Sequence, residues 1–221
     1  MGRDGTHHAA AVRGERDEWP GAGRSPLQRV AGHVAATGGE TVRAINKTSH
    51  AVKARMLYLT LGIAPDADPG QPTSGRARRR VLDWIAGQGI DPVGIVIDNG
   101  SGLSRHERLS PAQLSALLKS AAASRWYPEF AASLPIVALD GTMKNRMKAT
   151  PAAGNARLKT GTLRDVAALA GYVRDVRGQD WIVAAFVNHP QAEKGRAVLD
   201  QLVSWVTAGG AAVSTAPGAQ P

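Results

Sequence analysis

The sequence contains no cysteine. That excludes disulfides, thiolate metal sites and a cysteine nucleophile, and it leaves the redox compartment open. There is no apolar run near the roughly 18 residues that would span a bilayer. The first residues, Met1-Gly2-Arg3-Asp4-Gly5-Thr6-His7-His8, hold no apolar segment of the kind an export signal needs. The expectation is a chain not exported by the usual route, and cytoplasmic as it stands. Aromatic residues are sparse at 5%, and the 18 Asp and Glu are outnumbered by 27 Lys and Arg, for a net charge of +9. So basic a balance admits nucleic acid, an anionic membrane surface or an acidic polymer as partner.

What is present is otherwise ordinary. Hydrophobic residues make up 43% of the 221 and charged residues 20%, enough for a sizeable core in one or two domains. The positive charge is uneven: residues 41–80 hold eight Lys and Arg against Asp66 and Asp68. The run Arg78-Arg79-Arg80 has no aromatics between its charges and begins an amphipathic segment, which reads as a solvated helix face rather than a nucleic-acid patch.

Residues 1–38 are rich in Gly, Ala and charge, show no sustained period, and are expected to be disordered. His7-His8 lies in that segment without neighbouring ligands and reads as tail, not metal site. From Glu40 to Leu61 the pattern becomes helical, with Val42, Ile45, Val52, Met56, Leu59 and Leu61 on a broad face and Thr48 or Ser49 able to restart the helix as N-cap. A Pro/Gly/Asp loop over 64–75 precedes a second helix, about Ser74 to Ala86, burying Ala77, Val81, Leu82 and Ile85. Val93–Asp98 reads as a buried strand followed by a turn at Asn99-Gly100-Ser101-Gly102.

Ser110-Pro111-Ala112-Gln113 is a helix start with N-cap, Pro at N1 and Gln at N3. Pro128–Leu134 reads as a short helix and Pro135–Pro151 as mostly loop. The apolar segments Val166–Val173 and Trp181–Val187 flank Arg177-Gly178-Gln179-Asp180 as a β-hairpin. A last helix, about Gln191 to Val206, is expected to bury Val198, Leu199, Leu202, Val203 and Val206, before a disordered tail over 208–221. The layout is α+β, with helices against a largely antiparallel sheet.

Few constellations carry chemistry. Gly100-Ser101-Gly102-Leu103-Ser104 does not have the Gly-x-Ser-x-Gly spacing of a nucleophile elbow. His106 and His189 lack metal-ligand spacing, and no cofactor is expected. Lys159-Thr160-Gly161, at the head of an apolar run, is a weak motif alone. It stands, however, in a series: Asp98–Arg105 and Leu109-Ser110-Pro111, then Asp140-Gly141-Thr142-Met143, then Ala156–Leu163, then Ala168-Leu169-Ala170-Gly171-Tyr172. Upstream lie Ile45-Asn46-Lys47, Ser49, Ala54-Arg55 and Leu59-Thr60-Leu61-Gly62.

In order and spacing these blocks resemble the D-alanyl-D-alanine carboxypeptidase/endopeptidase family, low-molecular-mass penicillin-binding proteins of the bacterial cell envelope. Its superfamily is marked by Ser-x-x-Lys, Ser-x-Asn and Lys-Thr-Gly. The resemblance covers about residues 41–207. It implies an incomplete serine β-lactamase/transpeptidase-like fold over 39–207, with the N-terminal part missing. It implies catalytic roles for Lys159 and Ser49, substrate binding by Thr160, Gly161 and Thr162, and no metal or cofactor. The implied partners are peptidoglycan stem peptides and β-lactams rather than nucleic acid, and the implied location is the periplasm or cell envelope.

Two departures bear on activity. The second motif reads Ser49-His50-Ala51, so the Asn amide is lost, and His50, as a neighbouring residue, points elsewhere. No serine is followed at its third position by lysine. The expectation is a chain that begins too late to carry the nucleophile and is inactive. The alternatives are a non-catalytic remnant that binds peptidoglycan peptides or a partner, and a basic nucleic-acid binder using residues 76–80.

Overall fold

The computed structural model describes residues 36–63 and 70–210, all within the unit Ala36–Pro221. The expected disorder at 1–35 and 211–221 lies outside the described residues. Thr37 and Gly38, assigned from sequence to the irregular segment, instead start helix α1 (Gly38–Thr48). Thr37 Oγ1 takes the Glu40 N–H while the Glu40 carboxylate takes the Thr37 N–H, a capping box strong enough to carry two glycines.

The helical stretch from Glu40 to Leu61 is two helices. Ser49 adopts the left-handed conformation (φ 56°, ψ 45°) and ends α1. His50, neither Thr48 nor Ser49, caps α2 (Ala51–Thr60), its Nδ1 accepting the Lys53 N–H at 3.3 Å. This break rotates the second half of the expected apolar face outward: Val52, Met56 and Leu61 are exposed. The buried residue of α2 is Tyr58, whose hydroxyl donates to the Ser74 carbonyl at 2.9 Å. Gly100 (φ 69°) packs against that side chain, where a Cβ would come within 2.4 Å of Tyr58 Cγ.

Helix α3 (Thr73–Gly87) buries Ala77 and Ile85. Arg76 and Arg80 donate to the carbonyls of Gly62 and Leu61, so part of the basic run ties α3 to the end of α2. Val93–Asp98 is not the buried strand its β-branched run suggests. It makes a single antiparallel bridge, Val96 to Arg108, and Val93 is 78% exposed. Pro92 and Gly94 (φ 80°) place a turn there, closed by Ile95 N–H to the Pro92 carbonyl, so the segment never extends.

Helix α4 (Pro111–Ala122) has the expected capping box of Ser110 and Gln113, and α5 runs over Tyr127–Ser133. Strands β1 (Ala156–Leu163), β2 (Val166–Arg174) and β3 (Asp180–Asn188) form an antiparallel sheet in that order. A 3-10 turn at Ala192–Lys194 leads into α6 (Gly195–Thr207).

Alternation along β2 divides the core. Ala167, Leu169 and Val173 face α6 with Leu158, Leu199, Val203 and Val206. Tyr172 faces α4 and α5 with Leu118, Ala131 and Leu134, its hydroxyl donating to the Leu118 carbonyl at 2.8 Å. Val198 was expected in the core but is 60% exposed. The Leu199–Val203–Val206 stripe takes the inward face, and one residue back is about 100° around the helix.

The β2–β3 turn is organised by the buried Asp175. Its carboxylate accepts the N–H groups of Arg177 and Gln179 (2.9 Å each), the Trp181 indole N–H (3.1 Å) and the Arg177 guanidinium. Burial pushes its pKa up, but these donors outweigh burial and hold it at about 2 against an ordinary 3.8. A carboxyl depressed in the fold stabilises above its unfolded pKa and loses that contribution as pH falls through the folded one. Thermal melts of the wild type should therefore decline between about pH 4 and pH 2. Asp175→Asn should start lower at neutral pH and show a flatter acid limb.

Candidate active site

Strand β1 carries the site, and its register explains why. It pairs along its whole length with β2, Lys159 opposite Ala170 and Gly161 opposite Ala168. On its other side the bridge from Ile136 to Arg157 ends before Lys159. From Lys159 onward no strand pairs with that edge among the described residues, which leaves room there for an added strand.

Lys159 Nζ donates to Ser49 Oγ and to the Thr160 carbonyl, both at 2.6 Å. Both acceptors are neutral, and among the described residues no carboxylate pairs with this ammonium group. Lys159 is half-buried, and burial pushes its pKa below the ordinary lysine value. The result is a cation whose desolvation no anion of the described residues offsets.

Ser49 reaches Lys159 because α1 is pinned. Lys47 Nζ donates to Asp140 Oδ2 and to the Leu134 carbonyl, both at 2.6 Å. Asn46 Nδ2 donates to Ser133 Oγ at 2.7 Å, and that hydroxyl donates on to the Phe130 carbonyl. Burial pushes the Asp140 pKa up, but the Ile136 N–H and Lys47 outweigh it and hold the carboxyl below its ordinary value. Gly141 (φ 54°) lets α1 approach: a Cβ there would stand 2.7 Å from the Lys47 carbonyl oxygen.

Two of the three expected substrate-binding residues present hydroxyls. Thr160 Oγ1 lies 3.1 Å from Thr142 Oγ1. Thr162 Oγ1 accepts from the Arg196 guanidinium at 3.4 Å. Gly161 between them is exposed and leaves the edge bare. Thr142, Arg196 and the Lys47–Asp140 pair were not singled out as site residues. For Thr142 and Asp140 the signal was the Asp140-Gly141-Thr142-Met143 block; nothing local marks Arg196.

His50 is occupied as the α2 cap, and Ala51 brings no polar atom to the site. A cleft of about 670 Å³ opens farther along the sheet, lined by Arg105, Asp165, Val166, Phe186 and His189 among others. None of Ser49, Lys159, Thr160 or Thr162 lines it.

Residues 23–209 match the D-Ala-D-Ala carboxypeptidase 3 (S13) family, a span that begins upstream of residue 39. The chain is 33% identical over 155 residues to a D-alanyl-D-alanine carboxypeptidase of Actinomadura sp. (strain R39), covering 68% of this chain and 28% of that relative. It is 34% identical over 131 residues to carboxypeptidase DacB of Mycolicibacterium smegmatis, covering 56% of this chain and 28% of the relative. Its fold resembles penicillin binding protein 4 of Haemophilus influenzae, solved in complex with a β-lactam, with a TM-score of 0.65 at 23% identity over 75% of this chain and 41% of that one. A predatory endopeptidase of Bdellovibrio bacteriovorus, solved with an immunity protein, resembles it with a TM-score of 0.58 at 20% identity over 76% and 42% of the two chains. The chain spans less than half the length of these proteins.

Proposed function

The chain belongs to the D-Ala-D-Ala carboxypeptidase 3 (S13) family, and on that premise we propose that it supplies the substrate-holding wall of a serine acyl-transfer site for the D-Ala-D-Ala end of peptidoglycan stem peptides. One observation carries this reading: a half-buried ammonium group that no carboxylate of the described residues pairs, beside threonine hydroxyls on a strand edge that no described strand covers. A peptide carboxylate is an anion of the right shape for it. The stem peptide adds to β1 as an extended strand, with Thr160 and Thr162 donating to its terminal carboxylate. Lys159 supplies the charge, strengthened by its partly desolvated setting. Ser49, 2.6 Å from Lys159 Nζ, is placed to relay a proton between that lysine and a reacting centre.

Peptide cleavage also needs a nucleophile, and the 221 residues contain no Ser-x-x-Lys. Ala51 stands where the family has its Asn amide, and a lost active-site amide donor costs about 100- to 1,000-fold in rate. This chain by itself therefore binds and does not cleave; its place of action is the cell envelope, where the substrate lies. Incubation with fluorescent penicillin should leave no covalent adduct on denaturing gels. Calorimetric titration with an N-acyl-D-Ala-D-Ala peptide should show saturable binding. A stoichiometric penicillin adduct dependent on Lys159 would overturn the non-catalytic reading.

A further inference from the structure

The row Thr162–Ala167–Val187 crosses the sheet, one residue from each strand in register. Ala167 and Val187 belong to the core that Leu199 and Val203 of α6 complete, and residues paired in register share a face. Thr162 therefore points to the α6 side, as does Thr160 opposite the buried Leu169. Lys159 alternates with them and pairs with Ala170, which packs on the α4 and α5 side. The strand thus carries its lysine on one face and its two threonine hydroxyls on the other.

Helix α6 starts against the β3 end of that row. A Cβ at Gly195 would stand 2.9 Å from Val187 Cγ1, so glycine is what lets the first turn settle on β3. Arg196 follows, and its guanidinium reaches back along the row to Thr162 Oγ1 at 3.4 Å. Two strand spacings of about 4.8 Å separate Val187 from Thr162, and the residue between them is only an alanine. Helix-local reasons for an arginine here are weak. A cation in the first turn opposes the helix dipole. The acidic residue one turn on, Asp200, has both carboxylate oxygens engaged by Arg146.

The bond to Arg196 fixes the polarity of Thr162. A guanidinium has donors and no acceptor, whereas a hydroxyl has one proton and two lone pairs. Thr162 Oγ1 must accept from Arg196, so its proton is turned to some other acceptor. Thr160 is not constrained in this way, because its neighbour Thr142 can be donor or acceptor. We propose that Arg196 is a positioning residue that makes the site select a free terminal carboxylate over the corresponding amide, an inference that rests on the wall receiving a D-Ala-D-Ala end. A carboxylate offers acceptors only, and the nearby guanidinium favours its charge. A terminal amide can turn only its carbonyl oxygen to the Thr162 proton, it brings no charge, and its N–H groups meet those of the guanidinium donor against donor.

Calorimetric titration with N-acyl-D-Ala-D-Ala and with its C-terminal amide reads this preference as a ratio of Kd values. The wild type should bind the acid about 10- to 100-fold more tightly, the range of a charge-assisted hydrogen bond. Arg196→Met should cut that ratio roughly tenfold, while the exposed position keeps the thermal midpoint within about 1–2 °C. Arg196→Lys, also a cation with donors only, should keep most of the ratio. Thr162→Val should lower it as Arg196→Met does, and the double variant should lower it little further, because the two residues act as one unit. An unchanged ratio in Arg196→Met, with both peptides weakened alike as a merely structural role would give, overturns the role of Arg196. Additive losses in the double variant do the same. A wild type that binds neither peptide overturns the reading of the wall itself, and this inference with it.

Discussion

Lys159→Met should abolish most binding of an N-acyl-D-Ala-D-Ala peptide, raising Kd by about 10- to 100-fold, the worth of a charge-assisted hydrogen bond in a partly desolvated site. The same substitution should leave the thermal midpoint unchanged or higher. The unbound protein holds a half-buried ammonium group against two neutral oxygens, and methionine fills similar space without the desolvation cost. The pH dependences of stability and binding should run in opposite directions. Because burial lowers the Lys159 pKa, the unfolded chain holds more protons in the window between the lowered value and the ordinary one. Stability therefore rises with pH across that window. Peptide binding falls over the same window as the ammonium is lost. In Lys159→Met both of these contributions should disappear. Titration calorimetry and melts from neutral to alkaline pH read the two trends separately. A variant that binds the peptide as well as the wild type would sink the assigned role of Lys159.

Gly171→Ala should be the most destabilising small substitution in the sheet. Gly171 has φ 153°, and a Cβ there would lie 2.1 Å from the Arg157 carbonyl oxygen and 3.1 Å from Leu158 Cα. Those are backbone atoms of β1, so no side chain can turn aside, and the two strands must separate opposite Leu158, next to Lys159. Overpacking combined with backbone strain costs about 3 kcal/mol or more, which lowers the melting temperature by roughly 6–12 °C for a domain of this size. Gly161→Ala supplies the contrast: its Cβ would meet Ala168 Cβ at 3.5 Å, an ordinary contact. That variant should melt within about 1–2 °C of the wild type, as surface substitutions usually do. Equal melting temperatures for the two variants would show that the β1–β2 pair yields more easily than its geometry implies.

Sequence legibility tracked distance along the chain. The β2–β3 hairpin, the Ser110–Gln113 capping box and α3 were readable because their signals are periodic or lie within four residues. The Thr37–Glu40 box was equally local and was passed over, since the glycines beside it read as disorder. Val93–Asp98 failed for the opposite reason. Its apolar run has strand propensity, but a strand needs a partner, and Pro92 and Gly94 turn the chain before one is met. Val198 failed through helix phase: the choice between two neighbouring apolar stripes is made by the surface they pack on.

By itself the sequence determined the family and the α+β class, because these rest on residue types in local order; Lys159, Thr160 and Thr162 were singled out in the same way as the residues proposed to meet a substrate. The missing Ser-x-x-Lys within these 221 residues was equally plain, since a motif's absence needs no coordinates. Only the tertiary structure decided that Lys159 meets Ser49, 110 residues away, with no carboxylate of the described residues beside it. Only it left β1 from Lys159 onward without a second neighbouring strand among the described residues. Whether a cation is paired or a strand edge covered depends on what the rest of the fold brings within a few ångströms, and that is not written next to either in the chain.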